Sequence, residues 1–284
     1  CKAEGKGDCM KRWKVILAAA VLALAAAGCS SEPEKEEQPE KKVADLVIEV
    51  DGQDKKQETE TKEKKEEEKE PEKQNRTQTV VLDPGHSAVV AEGTEPLGPG
   101  STENKAADTS GTSGTASGLA EYELTLTVSR KLRDELQDRG YTVLMTRESN
   151  DVPVSCIERA DVANNAEADA FVRIHANGSE DSSVKGAMTI CITPDNPFYP
   201  ELYEQARALS DAIINNLSEA TGCENDGVWE TDSMSGNNWS QVPATIVEMG
   251  YMTNPEEDAL MATDDYQNKI VRGIADGIDQ YFGY

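Results

Sequence analysis

The amino-acid sequence predicts an α/β domain over residues 77–284, with a central, mostly parallel twisted sheet and helices on both faces. Two observations carry that expectation. Short apolar runs alternate with longer segments of helical period, the pattern of strands joined by crossover helices. Composition also changes sharply near residue 76, so the folded part is shorter than the 284-residue chain.

Thr79-Val80-Val81-Leu82 reads as the first strand, continuing through Asp83 into a Pro84-Gly85 turn. Leu124, Val128, Leu132 and Leu136 recur at four-residue steps and mark one helix face, which Arg139-Gly140 ends. A second strand follows over 141–145, a second helix over 156–165 and a third strand over 170–174. Another strand is expected over 187–192. A long helix over 201–217 carries Leu202, Ala206, Leu209, Ile213 and Leu217 on one side. Residues 244–249 return to the sheet, and a closing helix runs from about 265 to 282. The segment 87–118 breaks the pattern: it is rich in Gly, Ser, Thr and Pro and too long for an ordinary connection. Such loops are functional or disordered, and this one is expected to border a site.

The N-terminal quarter has a different logic. Residues 1–9 precede Met10 and read as upstream sequence from a misplaced start. Residues 10–29 form an export signal: Lys11-Arg12-Trp13-Lys14 is basic, thirteen apolar residues follow over 15–27, and Gly28-Cys29 comes next. Thirteen residues at 1.5 Å each fall short of a bilayer core of roughly 30 Å, which disfavours a permanent membrane helix. The segment resembles a lipoprotein signal in which Cys29 becomes the lipidated first residue. Ala26 stands where leucine is usual, which leaves ordinary cleavage and secretion as the alternative. Residues 30–76 hold 17 acidic and 11 basic residues, cannot bury a core, and read as a disordered charged tether.

From 77 to 284 there are 35 acidic and 12 basic residues, a balance of −23. Phosphate binding needs clustered Lys and Arg, so nucleic acid is excluded as a partner, and the charge opposes lying on anionic lipid. A monomer is expected. Cys156, Cys191 and Cys223 are the remaining cysteines, an odd number. Pairing of Cys191 with Cys223 is conceivable in an oxidising compartment, but buried small residues are the simpler expectation.

The chain has two histidines, and each lies at the end of an expected core strand: His86 after Asp83-Pro84-Gly85, and His175 within Arg173-Ile174-His175-Ala176-Asn177. Sites in open α/β sheets form at the carboxyl ends of strands, so both imidazoles can converge there as metal ligands. A catalytic zinc takes three protein ligands and leaves a position for water, and two histidines with a carboxylate is a standard set. Glu121 and Glu123 open the first helix. Glu121 shares the face of Leu124, Val128 and Leu132, which favours it as the inward one, although either acid could simply complement the helix dipole. Glu248 stands in the apolar run Thr245-Ile246-Val247-Glu248-Met249, where an acid is costly unless paired or protonated. Its expected role is general base, taking a proton from the attacking water and passing it to the leaving amine; an outward-facing edge-strand position is the alternative.

Asp83-Pro84-Gly85-His86, the helix start Glu121-Tyr122-Glu123-Leu124-Thr125-Leu126, Arg173-Ile174-His175-Ala176-Asn177 and Val247-Glu248-Met249-Gly250-Tyr251-Met252-Thr253-Asn254 occur in this order. Together they resemble the zinc-dependent N-acetylmuramoyl-L-alanine amidases of the amidase type 3 family. The resemblance implies one zinc ion per domain held by His86, Glu121 and His175, with Glu248 as catalytic acid/base. It implies as substrate the amide between N-acetylmuramic acid and L-alanine in peptidoglycan. A location outside the cytoplasm, anchored to the membrane through Cys29 and facing the cell wall, follows from the signal and the tether. The competing expectation is a non-catalytic peptidoglycan-binding module of the same fold; a zinc peptidase or deacetylase acting on the same polymer is a third.

Overall fold

In a computed structural model, residues 76–284 are described; the signal segment, Cys29 and the tether of 30–75 lie outside them. The elements in order are β1 (Thr79–Pro84), β2 (Thr94–Pro96), β3 (Asn104–Ala106), α1 (Glu121–Asp138), β4 (Thr142–Met145), α2 (Cys156–Asn165), β5 (Ala170–Asn177) and β6 (Ala187–Cys191). They continue with α3 (Tyr203–Thr221), β7 (Asn225–Glu230), α4 (Ser235–Asn238), β8 (Ala244–Tyr251), α5 (Pro255–Met261) and α6 (Asp264–Phe282).

Six strands form one sheet in the order β4-β1-β5-β8-β6-β7. The pairs β4/β1, β1/β5, β5/β8 and β6/β7 are parallel, and β6 runs antiparallel to β8. The sheet is therefore mostly parallel, as expected, with one reversal that hydrophobic pattern cannot encode. One face packs Val80, Leu82, Val172, Ile174, Val247 and Met249 against α1, α3 and α6. The other packs Val81, Phe171 and Ala244 against Ala160 and Ala163 of α2, with Trp239 beside them. Side chains alternate along each strand, so one buried run feeds both layers.

Helices α3 and α6 approach closely because α6 carries Gly273 and Gly277 one turn apart. A β-carbon at Gly277 would lie 2.5 Å from Ile213 Cα, and one at Gly273 would lie 2.6 Å from Leu217 Cα.

Five elements escape the sequence pattern. Strand β7 is an edge strand whose first residues, Asn225 and Asp226, are exposed, so it lacks the apolar signal. Helices α4 and α5 are only four and seven residues long. The segment 87–118 is ordered and contains the β2/β3 hairpin. The hairpin is docked by Trp239 Nε1 donating to Pro96 O at 2.8 Å and Asn238 Nδ2 donating to Leu97 O at 3.1 Å. Cys191 and Cys223 remain free thiols, and Cys191 is fully buried.

Candidate metal centre and active site

The carboxyl ends of β1 and β5 lie side by side at the centre of the sheet, and α1 starts beside them. His86 Nε2 lies 3.1 Å from Glu121 Oε1, and His175 Nδ1 lies 3.1 Å from both Glu121 Oε1 and His86 Nε2. Among the described residues these three form the group of His, Cys, Asp and Glu able to hold a metal ion, with ligand atoms all within 4.8 Å of one another.

His86 adopts φ 59°, a left-handed conformation that costs a non-glycine residue roughly 1 kcal/mol. The surroundings enforce it. Arg159 donates to His86 O at 3.0 Å and to Pro84 O at 2.8 Å, while Arg147 donates to Pro84 O and Gly85 O, each at 2.9 Å. Arg147 also reaches Tyr122 O at 2.9 Å, tying the β1 turn to the first turn of α1 and so fixing His86 relative to Glu121. Beneath them Asp83 is fully buried between Arg159 at 2.8 Å and Arg173 at 2.9 Å. Burial alone would raise the Asp83 carboxyl, but the two guanidinium charges outweigh it and hold it well below the usual range.

Gly85 makes room for the second imidazole: a β-carbon there would lie 2.4 Å from the His175 ring. His86 Nδ1 lies 2.8 Å from Thr109 O, so this nitrogen carries the proton and Nε2 keeps its lone pair for the cluster. Glu121 is 3 % exposed, accepting from Thr112 N–H at 2.8 Å through Oε2 and from Ala176 N–H at 3.1 Å through Oε1. Burial opposes its ionisation, yet the hydrogen bonds and charges of His175 and His86 keep the carboxyl far below its ordinary value. Glu123 turns the other way and accepts from the Ala120 N–H at 3.1 Å, closing the start of the helix from its own side chain.

Glu248 pairs in register with His175 across β5 and β8, on an interior strand. Its outward-facing edge alternative is therefore not realised. Its Oε2 is buried without a hydrogen-bond partner, although the residue as a whole is half-buried on the cavity wall. Burial, and then the charge of Glu121, push the carboxyl up to about 8. His175 is lowered to about 4 by burial, against its hydrogen bond to the Glu121 carboxylate, and its Nε2 is also buried without a partner.

The donor set fits a metal ion. Bonds of roughly 2.0–2.1 Å in tetrahedral geometry place ligand atoms roughly 3.3 Å apart, close to the 3.1 Å spacing of the three donors. Beside the cluster, His175 Nε2 and Glu248 Oε2 are buried polar atoms with no protein partner. A cavity of about 610 Å³ opens over it, lined among others by His86, His175, Glu248, Arg173 and Lys105.

Residues 80–280 match the profile of the N-acetylmuramoyl-L-alanine amidase family. The chain belongs to that family. An N-acetylmuramoyl-L-alanine amidase of Mycobacterium tuberculosis is 32% identical over 206 residues, covering 69% of this chain and 84% of that protein. The germination-specific N-acetylmuramoyl-L-alanine amidase of Bacillus subtilis is 28% identical over 179 residues, covering 58% of this chain and 71% of the relative. The crystal structure of an N-acetylmuramyl-L-alanine amidase from Mycobacterium smegmatis superposes with a TM-score of 0.67 at 26% identity, covering 72% of this chain and 97% of that one.

The sequence pattern did not assign Asp83, Arg147, Arg159, Thr109 or Thr112 to the amidase site. Asp83 and Arg173 carried the same signal that exposed Glu248, a charge inside an apolar strand. Thr112 acts through its main-chain N–H, which leaves no trace in residue type, and Thr109 meets His86 Nδ1 with both its carbonyl at 2.8 Å and its hydroxyl at 3.2 Å.

Proposed function

We propose that this N-acetylmuramoyl-L-alanine amidase hydrolyses the muramoyl-alanine amide of peptidoglycan with one zinc ion held by His86, Glu121 and His175, and with Glu248 as acid/base. The observation that carries the reading is the placement of Glu248. It is an interior-strand acid in register with His175, with one oxygen buried and unpaired beside a three-donor cluster. When bound, the zinc ion supplies Lewis acidity toward the scissile carbonyl and makes water a nucleophile near neutral pH.

The protein's own groups do the rest. Glu248 takes the proton from the attacking water and delivers it to the departing nitrogen of L-alanine, so the amine leaves neutral. Arg147 and Arg159 hold the β1 turn, and Thr109 O fixes the tautomer of His86. No side chain need form a covalent bond to the substrate.

Outside the catalytic domain, we place lipid on Cys29 and the domain beyond the cytoplasmic membrane, reaching the wall on the 30–76 tether. The export-type segment before Cys29 and the cell-wall amidases among the relatives support that placement. No helix among the described residues is long and apolar enough to cross a membrane. Metabolic labelling with a fatty acid should mark the wild type and spare Cys29→Ala.

The catalytic assignment is tested by metal content and turnover together. Glu248→Gln is expected to keep stoichiometric zinc while release of L-alanine amino termini from peptidoglycan falls roughly 10²–10⁴-fold. Turnover that survives the substitution removes the acid/base role; zinc bound without any release of amino termini by the wild type removes the substrate.

A further inference from the structure

The charge lining the cavity runs against the charge of the domain. Residues 77–284 carry a balance of −23, yet the cavity beside the metal centre is lined by two cations, Lys105 and Arg173, and by one acid, Glu248, with Arg173 already paired to the buried Asp83. Lys105 sits in β3, opposite Glu95 of β2. An ion pair would be the ordinary outcome for such a cross-strand pair, but Glu95 instead accepts from Ile157 N–H at 3.0 Å. Lys105 Nζ donates to a main-chain carbonyl, Ser233 O, at 2.8 Å and has no carboxylate partner among the described residues.

Arg173 spends Nε on Asp83 at 2.9 Å and reaches Asn237 Oδ1 at 3.5 Å with Nη1, while Nη2 makes no hydrogen bond among the described residues. Gly236, also in the cavity wall, gives this guanidinium its room: a β-carbon there would lie 2.5 Å from Cζ and 2.8 Å from Nη2. A lysine ammonium and a free guanidinium edge on one cavity wall suit one ligand chemistry, a carboxylate.

We propose that Lys105 and Arg173 form a carboxylate subsite, selecting stem peptides that carry a free carboxylate close to the scissile amide over those in which it is amidated. The proposal rests on the muramoyl-amidase reading for the identity of the peptide. The subsite lies beside the reacting centre, so the carboxylate fixes the peptide while Glu248 and the metal ligands address the amide. It also explains how a strongly acidic domain accepts an acidic ligand: the repulsion of distant charges is screened, whereas the two local cations act at contact range.

Calorimetric binding to zinc-loaded Glu248→Gln, in which turnover does not intrude, separates the two ligands. The probes are N-acetylmuramoyl-L-alanyl-D-glutamate with its γ-carboxyl blocked as the methylamide and its α-carboxylate free, and the same compound with the α-carboxylate converted to the carboxamide. The acid form is expected to bind roughly fivefold tighter, about 1 kcal/mol, with the difference lost in Lys105→Met/Glu248→Gln and reduced at high salt. Gly236→Ala/Glu248→Gln, which crowds the guanidinium, should narrow the same difference. Equal affinity for the two ligands, or a preference that persists in the Lys105→Met protein, overturns the subsite and leaves hydrolysis standing. Failure of the wild type to cleave either compound would instead count against the amidase reading, with the binding difference still measurable.

Discussion

At the scale of single residues, the site depends on groups held where they would not rest by themselves. Glu248 is the clearest case. Below its ordinary value of 4.5 the carboxyl is protonated in both folded and unfolded chains; between 4.5 and about 8 only the unfolded chain has released the proton. Stability of the metal-free domain therefore declines as pH rises through that window. Under a chelator, the Tm of Glu248→Gln should equal that of the wild type near pH 4.5 and exceed it increasingly toward pH 8. A difference independent of pH would mean that the acid is solvated. Asp83 is shifted the opposite way by Arg159 and Arg173, so its contribution is present above 3.8 and is lost as pH falls below it. Asp83→Asn leaves two buried guanidinium groups short of a partner and should cost about 3–5 kcal/mol at pH 7 in urea unfolding, less in acid. Glu248, Glu121 and both histidines were legible as single residues because each breaks a local pattern; Thr112 was not, because any residue offers the same N–H, and Thr109 was not, because its segment has no periodic signal to place its carbonyl and hydroxyl beside His86.

At the scale of elements, strands deliver the ligands and short irregular segments orient them. Helix α1 brings Glu121 in on the face that also buries Leu124, Val128 and Leu132, so packing of that face and ligand placement are one event. Its periodicity was readable in full, down to the choice of Glu121 over Glu123. The segment 87–118 was readable as anomalous and site-bordering, but not in its contacts: its Thr112 N–H meets Glu121, its Thr109 carbonyl meets His86, and its hairpin is docked by Trp239 and Asn238, more than a hundred residues away. Helix α6 offers a test with a definite sign. In an exposed helix, Gly→Ala stabilises by roughly 1 kcal/mol, but at Gly277 the added carbon meets the backbone of α3. Gly277→Ala should therefore destabilise by about 1–3 kcal/mol in chemical denaturation, and a gain in stability would show that the two helices can separate freely.

At the scale of the whole molecule, the centre ties together β1, α1 and β5, whose candidate ligands are 35 and 54 residues apart in sequence. An ion bound there favours the folded state by mass action. Chelation should lower the Tm of the wild type reversibly on zinc return, whereas His175→Ala should unfold at one temperature with or without zinc. A chelator-insensitive wild type would remove the metal from the assignment.

The sequence by itself determined the α/β class, the presence of the long helices, with α3 displaced from the expected 201–217 to Tyr203–Thr221, and the choice of four candidate site residues. Each of these is a local property: a period, a composition change, or a polar residue in apolar surroundings. Tertiary structure alone decided the antiparallel entry of β6, the edge strand β7, the hairpin within 87–118 and the placing of Lys105 and Arg173 on one cavity. These depend on which distant segments meet, and strand direction, main-chain hydrogen bonds and close approach at glycine carry no periodic signal along a chain.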